Sequence, residues 1–135
     1  MGMEKKIHFT GFLPGDELAV IWDQAYFLVY PSLFEGFGIP LIEAMKYRKP
    51  ILASDVTSIP EVAGDAALYF DPKKPDQIVD ALRNIMEDKN LYDQLVERGQ
   101  QQLKKYNTDE MVGQYIAILE QAVGERFASS TFRLL

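Results

Sequence analysis

Residues 26–44, YFLVYPSLFEGFGIPLIEA, decide the fold. Tyr26 to Tyr30 is a continuous apolar run, the pattern of a parallel strand covered on both faces, and Pro31 and Ser32 close it. After the short polar loop LFEGFG, Leu41, Ala44 and Met45 recur at helical spacing, and Pro40 suits the first turn of a helix. A strand that feeds a glycine-bearing loop and then a helix is the corner unit of an open parallel α/β sheet. In such sheets ligands bind beyond the carboxyl ends of the strands.

The chemistry expected at this corner follows from its residue types. Gly36 and Gly38 let the backbone turn sharply and approach a ligand, and the first N–H groups of the helix are free to meet anionic oxygens. A helix terminus gives about 0.3–1 kcal/mol to a nearby negative charge, so it assists a phosphate but cannot hold a diphosphate unaided. Glu35 lies in the loop and Glu43 inside the helix. Carboxylates accept hydrogen bonds from vicinal hydroxyls, so this pair can address both ends of an elongated, hydroxyl-rich, phosphorylated ligand. Spacing alone leaves a second reading open, in which Glu35 only favours the helix dipole and Glu43 is a solvated helix residue.

Outward from the corner, strand and helix patterns alternate. Residues 7–10 (IHFT) read as a strand ending at Gly11. ELAVIWDQA, residues 17–25, reads as a helix with Leu18, Ile21, Trp22 and Ala25 on one face. Residues 50–54 and 67–70 are further short strands, separated by a loop over 55–60 and a short EVAG turn. Beyond Pro75 the chain turns helical. One helix over 75–88 carries Ile78, Leu82, Ile85 and Met86 on one face, a second ends near Lys104, and a third runs from Asp109 to Ala122. The rhythm predicts an α/β, three-layer Rossmann-like parallel sheet with flanking helices. No linker composition divides it, so residues 7–123 are expected to form one unit, with 124–135 as a C-terminal tail whose Phe127, Phe132, Leu134 and Leu135 pack back or cover a partner surface.

Composition narrows the function classes. The chain has 135 residues, enough for one self-sufficient core. It lacks cysteine, which excludes thiolate chemistry and fits a reducing compartment. A formal net charge of -6 argues against a nucleic-acid partner, which requires a basic surface. The apolar runs are too short to span a bilayer, and a cytoplasmic location is expected. His8 is the only histidine and reads as a packed or edge residue, which leaves no basis for a Ser-His-acid arrangement. No histidine and carboxylate grouping suggests a metal site. The glycines of residues 36–38 lack the third glycine of a dinucleotide fingerprint.

Residues 7–106 resemble the C-terminal, donor-binding half of the retaining glycosyltransferases of family 4, enzymes of the GT-B fold, and the run from Gly11 to Pro72 does so almost throughout. The resemblance rests on the Glu-x7-Glu motif at Glu35 and Glu43, the PS-x-x-EGFG-x-P-x-x-EA signature from Pro31 to Ala44, and SIPEV-x-GDAA from Ser58 to Ala67. It implies transfer of a hexosyl unit from a nucleotide diphosphate sugar, a UDP-, GDP- or ADP-sugar, to a hydroxyl acceptor with retained anomeric configuration. No cofactor and no metal are implied.

The resemblance also implies residue roles. Glu35 is the glutamate that meets the donor sugar near the anomeric carbon, the one catalytic position expected here. Gly36, Phe37, Gly38 and Ile39 bring backbone to sugar and phosphate, and Pro40 and Leu41 open the helix beside the diphosphate. Glu43 holds the ribose hydroxyls, and Gly11, Phe12 and Leu13 line the nucleoside pocket. Residues Thr57 to Glu61 are expected to support rather than touch the donor.

The family's diphosphate-binding arginine and lysine precede the part matched here, as does the acceptor-binding domain with its catalytic histidine. The expectation is therefore a partial C-terminal domain of a GT-B fold, inactive alone. Its parent would be an enzyme, cytoplasmic or peripheral at the inner face of a membrane. Self-association through uncovered surfaces is expected as well. The alternative is a stand-alone sugar-nucleotide binding module or an interaction subunit that pairs with a separate acceptor-binding half.

Overall fold

The computed structural model describes residues 3–129. Its elements in chain order are α1 (Gly15–Gln24), β1 (Leu28–Tyr30), α2 (Ile39–Lys46), β2 (Ile51–Ser54), α3 (Ile59–Ala63), β3 (Ala67–Phe70), α4 (Pro75–Glu87), α5 (Lys89–Leu103) and α6 (Thr108–Ser129). Short 3-10 turns lie at Glu4–Lys6, Gly64–Ala66 and Lys104–Tyr106. The three strands form one parallel sheet in the order β1-β2-β3, with Leu28 opposite Ile51 and Ile51 opposite Ala67.

The sheet is covered on both faces, and the two-residue alternation of the strands sorts the core. Leu28, Tyr30, Ile51, Ala53, Ala67 and Tyr69 point to one side, where they meet Trp22 of α1, Leu41, Ala44 and Met45 of α2, and Ile59, Val62 and Ala63 of α3. Val29, Leu52, Leu68 and Phe70 point to the other, against Ile78, Ala81 and Ile85 of α4 and Leu91, Tyr92 and Leu95 of α5. Every residue of β2 is buried, as a central strand requires. This is the expected three-layer α/β arrangement.

Helix α5 connects the layers. It starts on the α4 face, and its later residue Leu103 packs on the α2–α3 face. On the way it touches segments that precede strands. The Tyr92 hydroxyl donates to the Tyr26 carbonyl at 3.1 Å, and Arg98 donates to the Asp65 carbonyl at 3.4 Å. Gly99 lies at the crossing with α2, where a Cβ would stand at ordinary contact distance, 3.5 Å, from Met45 Cγ. α5 thus occupies the amino side of the sheet, and the carboxyl ends of the strands stay open.

Several expectations need correction. Residues 7–10 form no strand; Ile7 and Phe9 are exposed, and no described strand lies beside them to supply a ladder. His8, expected to be packed or at an edge, is exposed. Residues 59–63 form α3 rather than a loop and turn, because Pro60 falls in the first turn, where a missing N–H costs nothing. In α1 the packing stripe runs through Leu18 and Trp22 and leaves Ile21 exposed; in α4 Met86 is likewise exposed. α6 continues to Ser129, past the expected end at Ala122 and across the expected start of the tail at 124. Phe132, Leu134 and Leu135 lie outside the described residues, as does the side chain of Phe127.

Candidate functional site

The loop after β1 and the first turn of α2 stand at the carboxyl end of the sheet. Gly38 is the N-cap of α2, with φ 93 and ψ 55 in the left-handed region. A Cβ at this buried position would meet Leu41 Cδ1 at 2.9 Å, so glycine is required by both conformation and space. Pro40 has no N–H, and the Leu41 N–H donates to the Gly38 carbonyl at 3.0 Å. Among the described residues, the donors without a protein partner at this terminus are therefore those of Phe37, Gly38 and Ile39.

Glu35 is held by its neighbours. The Tyr30 hydroxyl donates to Glu35 Oε1 at 2.5 Å, and Ser32 Oγ donates to the same oxygen at 2.9 Å. Oε2 carries no protein hydrogen bond among the described residues, so it is the oxygen available to a ligand hydroxyl. Tyr30 first, then Ser32, holds the Glu35 carboxyl below the usual carboxylate range. Burial, reinforced by the Glu35 carboxylate, pushes the Tyr30 phenol up to about 12. At neutral pH Glu35 is thus an ionised acceptor and Tyr30 a neutral donor, and neither is poised to transfer a proton.

Glu35's backbone is tied to the segment after β2. Its N–H donates to Thr57 Oγ1 at 3.1 Å, and Ser58 Oγ donates to its carbonyl at 3.2 Å. Ser54, the last residue of β2, donates its hydroxyl to the Tyr30 carbonyl at 3.3 Å. Glu43 is half-buried on α2, whose Leu41, Ala44 and Met45 turn into the core; its carboxylate has no hydrogen bond among the described residues. Phe37 meets the Tyr106 ring edge-on at 5.9 Å.

The remaining sequence candidates sit differently. Gly11 adopts φ 63. Phe12 is 95% exposed and so has no wall behind it, while Leu13 is half-buried. Outside that set, Lys49 Nζ donates to the Asp23 carbonyl at 2.7 Å and ties the end of α2 to α1. Among the described residues no group of side chains could hold a metal ion, and no helix is long and apolar enough to cross a membrane.

A concavity of about 290 Å³ lies between Gly64–Ala66 and α5, lined by Arg98, Gln101, Gln102 and Lys105. It contains no residue of the corner around Glu35.

By sequence pattern alone Tyr30 is an apolar strand residue and Ser32 a strand terminator. The available signal was the polar tip of a tyrosine closing a strand just before a loop glutamate.

The geometry is that of a Rossmann-like domain with a carboxylate and a helix terminus at one strand end. The family described as "Glycosyl transferases group 1" matches residues 1–102, and the chain belongs to it. The chain is 36% identical over 110 residues to O-antigen chain mannosyltransferase B of Escherichia coli, a match covering 82% of this chain and 29% of that protein. It is also 36% identical over 118 residues to O-antigen chain mannosyltransferase RfbU of Salmonella typhimurium, covering 85% and 32%. Sucrose-phosphate synthase from Thermosynechococcus elongatus, a GT-B glycosyltransferase, superposes with a TM-score of 0.75 at 27% identity, over 95% of this chain and 32% of that one. The chain therefore spans about a third of the length of each of these three proteins, and its fold is part of a GT-B C-terminal domain.

Proposed function

We propose that this chain is the donor-binding portion of a retaining family 4 glycosyltransferase, which moves a hexosyl unit from a nucleotide diphosphate sugar to a hydroxyl acceptor. The observation that carries the reading is the Glu35 carboxylate, fixed through Oε1 by Tyr30 and Ser32 beside the open N-terminus of α2. In this proposal Glu35 Oε2 accepts from the donor sugar, and the N–H groups of Phe37, Gly38 and Ile39 face sugar and phosphate. Glu43 accepts from the ribose hydroxyls, and Gly11 to Leu13 flank the nucleoside. Charge that develops on the departing diphosphate is stabilised by N–H donors already in place. Because the similar Escherichia coli and Salmonella proteins are named mannosyltransferases, a mannosyl donor is the first to test.

On this reading the chain alone turns over no substrate. The corner is one wall of a site, whereas transfer needs donor and acceptor aligned and water excluded. The second wall would be an N-terminal acceptor-binding domain, and the parent would act in the cytoplasm, peripheral to the membrane where its acceptor is lipid-borne. Self-association of the chain through uncovered surfaces belongs to the same proposal.

Calorimetric titration of the chain with GDP-mannose, UDP-glucose and ADP-glucose tests the reading. One donor should bind weakly and saturably, and Glu43→Ala should weaken it through loss of the ribose bonds. Affinity unchanged by Glu43→Ala, or product formed by the isolated chain, would contradict it.

A further inference from the structure

We infer that Thr57 and Ser58 are positioning residues for Glu35, gripping its backbone from both sides so that the segment leaving β2 sets where the carboxylate stands. The inference rests on the donor-site reading of Glu35 for its functional meaning, though not for its geometry.

The backbone beside Glu35 has little apolar packing. Leu33 and Phe34 beside it are 65% and 77% exposed, so apolar packing does not fix the backbone there. The ties that reach Glu35's backbone come from 22 and 23 residues further along: Thr57 Oγ1 accepts its N–H, and Ser58 Oγ donates to its carbonyl.

Both partners forgo something local to make these bonds. Thr57 is a β-branched residue at φ 51, a left-handed conformation that such residues rarely adopt and that persists only where the surroundings enforce it. Ser58 occupies the N-cap of α3, where a serine normally caps its own helix. Its side chain makes no cap bond there, and its hydroxyl goes to Glu35 instead.

The segment is itself rigidly mounted. The Asp55 N–H donates to the Phe70 carbonyl at 3.1 Å, the Val62 N–H donates to the Ser58 carbonyl at 2.9 Å, and the Ile59 side chain is fully buried. Glu35 is thus referenced to β2 and β3 as well as to its own strand. A displacement of residues 55–58 would carry the carboxylate with it.

The test reads the Glu35 carboxyl titration by carbon-13 NMR on the whole chain. Neither Thr57 nor Ser58 touches that carboxyl, so a change there reports movement away from Tyr30 and Ser32 and not loss of a direct partner. Thr57→Gly removes the acceptor while accepting φ 51 without strain, so this variant keeps the fold. Ser58→Ala removes the donor, and Thr57→Ser retains the hydroxyl as the conservative control.

The Glu35 midpoint should rise toward the ordinary glutamate value in Thr57→Gly and Ser58→Ala, further in the double variant, and stay at the wild-type value in Thr57→Ser. A wild-type midpoint in the double variant would overturn the inference, and so would a Thr57→Ser midpoint displaced as far as that of Thr57→Gly.

GDP-mannose and GDP serve as probes in a parallel calorimetric arm, with Glu35→Gln as reference. The same two single variants should lose most of whatever preference for GDP-mannose over GDP Glu35→Gln abolishes. If Glu35→Gln loses that preference and the double variant retains it, the positioning role fails. If Glu35→Gln leaves the preference unchanged, the donor-sugar role of Glu35 fails, while the titration still decides the positioning.

Discussion

The Tyr30 hydroxyl, on the last residue of β1, donates to Glu35 Oε1 across 2.5 Å and joins the sheet to the loop that follows it. The bond has a pH signature. Glu35's folded pKa is lowered, so its contribution to stability is present above the ordinary glutamate value and is lost as pH falls through the folded one. Tyr30's folded pKa is raised to about 12, so its contribution is present below the ordinary phenol value of about 10 and is lost as pH rises through the folded value. Tyr30→Phe should move the Glu35 titration up toward the ordinary range and reduce the loss of stability in acid. Urea unfolding between about pH 3 and pH 6 checks this, and an acid limb identical to wild type would refute it.

Gly38 should tolerate no side chain. Gly38→Ala forces a left-handed residue and places its Cβ against the buried Leu41, and the backbone strain alone costs about 1–3 kcal/mol. A fall in the urea midpoint with an unchanged slope is expected. Gly36→Ala, whose Cβ would meet nothing within 4 Å, should be nearly silent in the same experiment.

The carbonyl of Val62, at the end of α3, accepts from Gln102 Nε2 at 2.9 Å and from the Tyr106 hydroxyl at 3.1 Å. Either donor alone satisfies it. Gln102→Leu or Tyr106→Phe should each cost about 0.5–1.5 kcal/mol. The double variant should cost more than the sum, because a bare buried carbonyl carries its full desolvation penalty of about 1–3 kcal/mol. Additive losses in chemical denaturation would show that the two bonds act independently.

On α6, Val112, Tyr115, Ile116, Leu119 and Val123 recur at helical spacing, and each is at least half exposed. Solution mass is expected to rise with protein concentration, and Ile116→Glu with Leu119→Glu should hold the chain at monomer mass. A wild-type mass independent of concentration would remove the case for self-association.

Leu41, Ala44 and Met45 announced the buried stripe of α2, and the continuous apolar run before Pro31 announced a strand covered on both faces; both follow from local periodicity. Residues 7–10 carried an equally fair strand pattern and formed none, because a strand exists only beside another strand. Pro60 reads as a loop residue in the sequence, although a helix accepts proline in its first turn. The candidate ligand groups Glu35 and Glu43 stood out as carboxylates at a glycine-bearing corner.

The sequence by itself determined the alternation of strand and helix, the glycine at position 38 and the two glutamates, since these depend on side-chain period, backbone freedom and charge within a short stretch. Only the tertiary structure decided what surrounds Glu35. Thr57 and Ser58 join Tyr30 and Ser32 there because parallel pairing of β1 with β2 brings the loops beyond both strands to the same end of the sheet. Hydrogen bonds that span more than 20 residues have no signature in local spacing. They arise when hydrophobic packing sets the register of the strands.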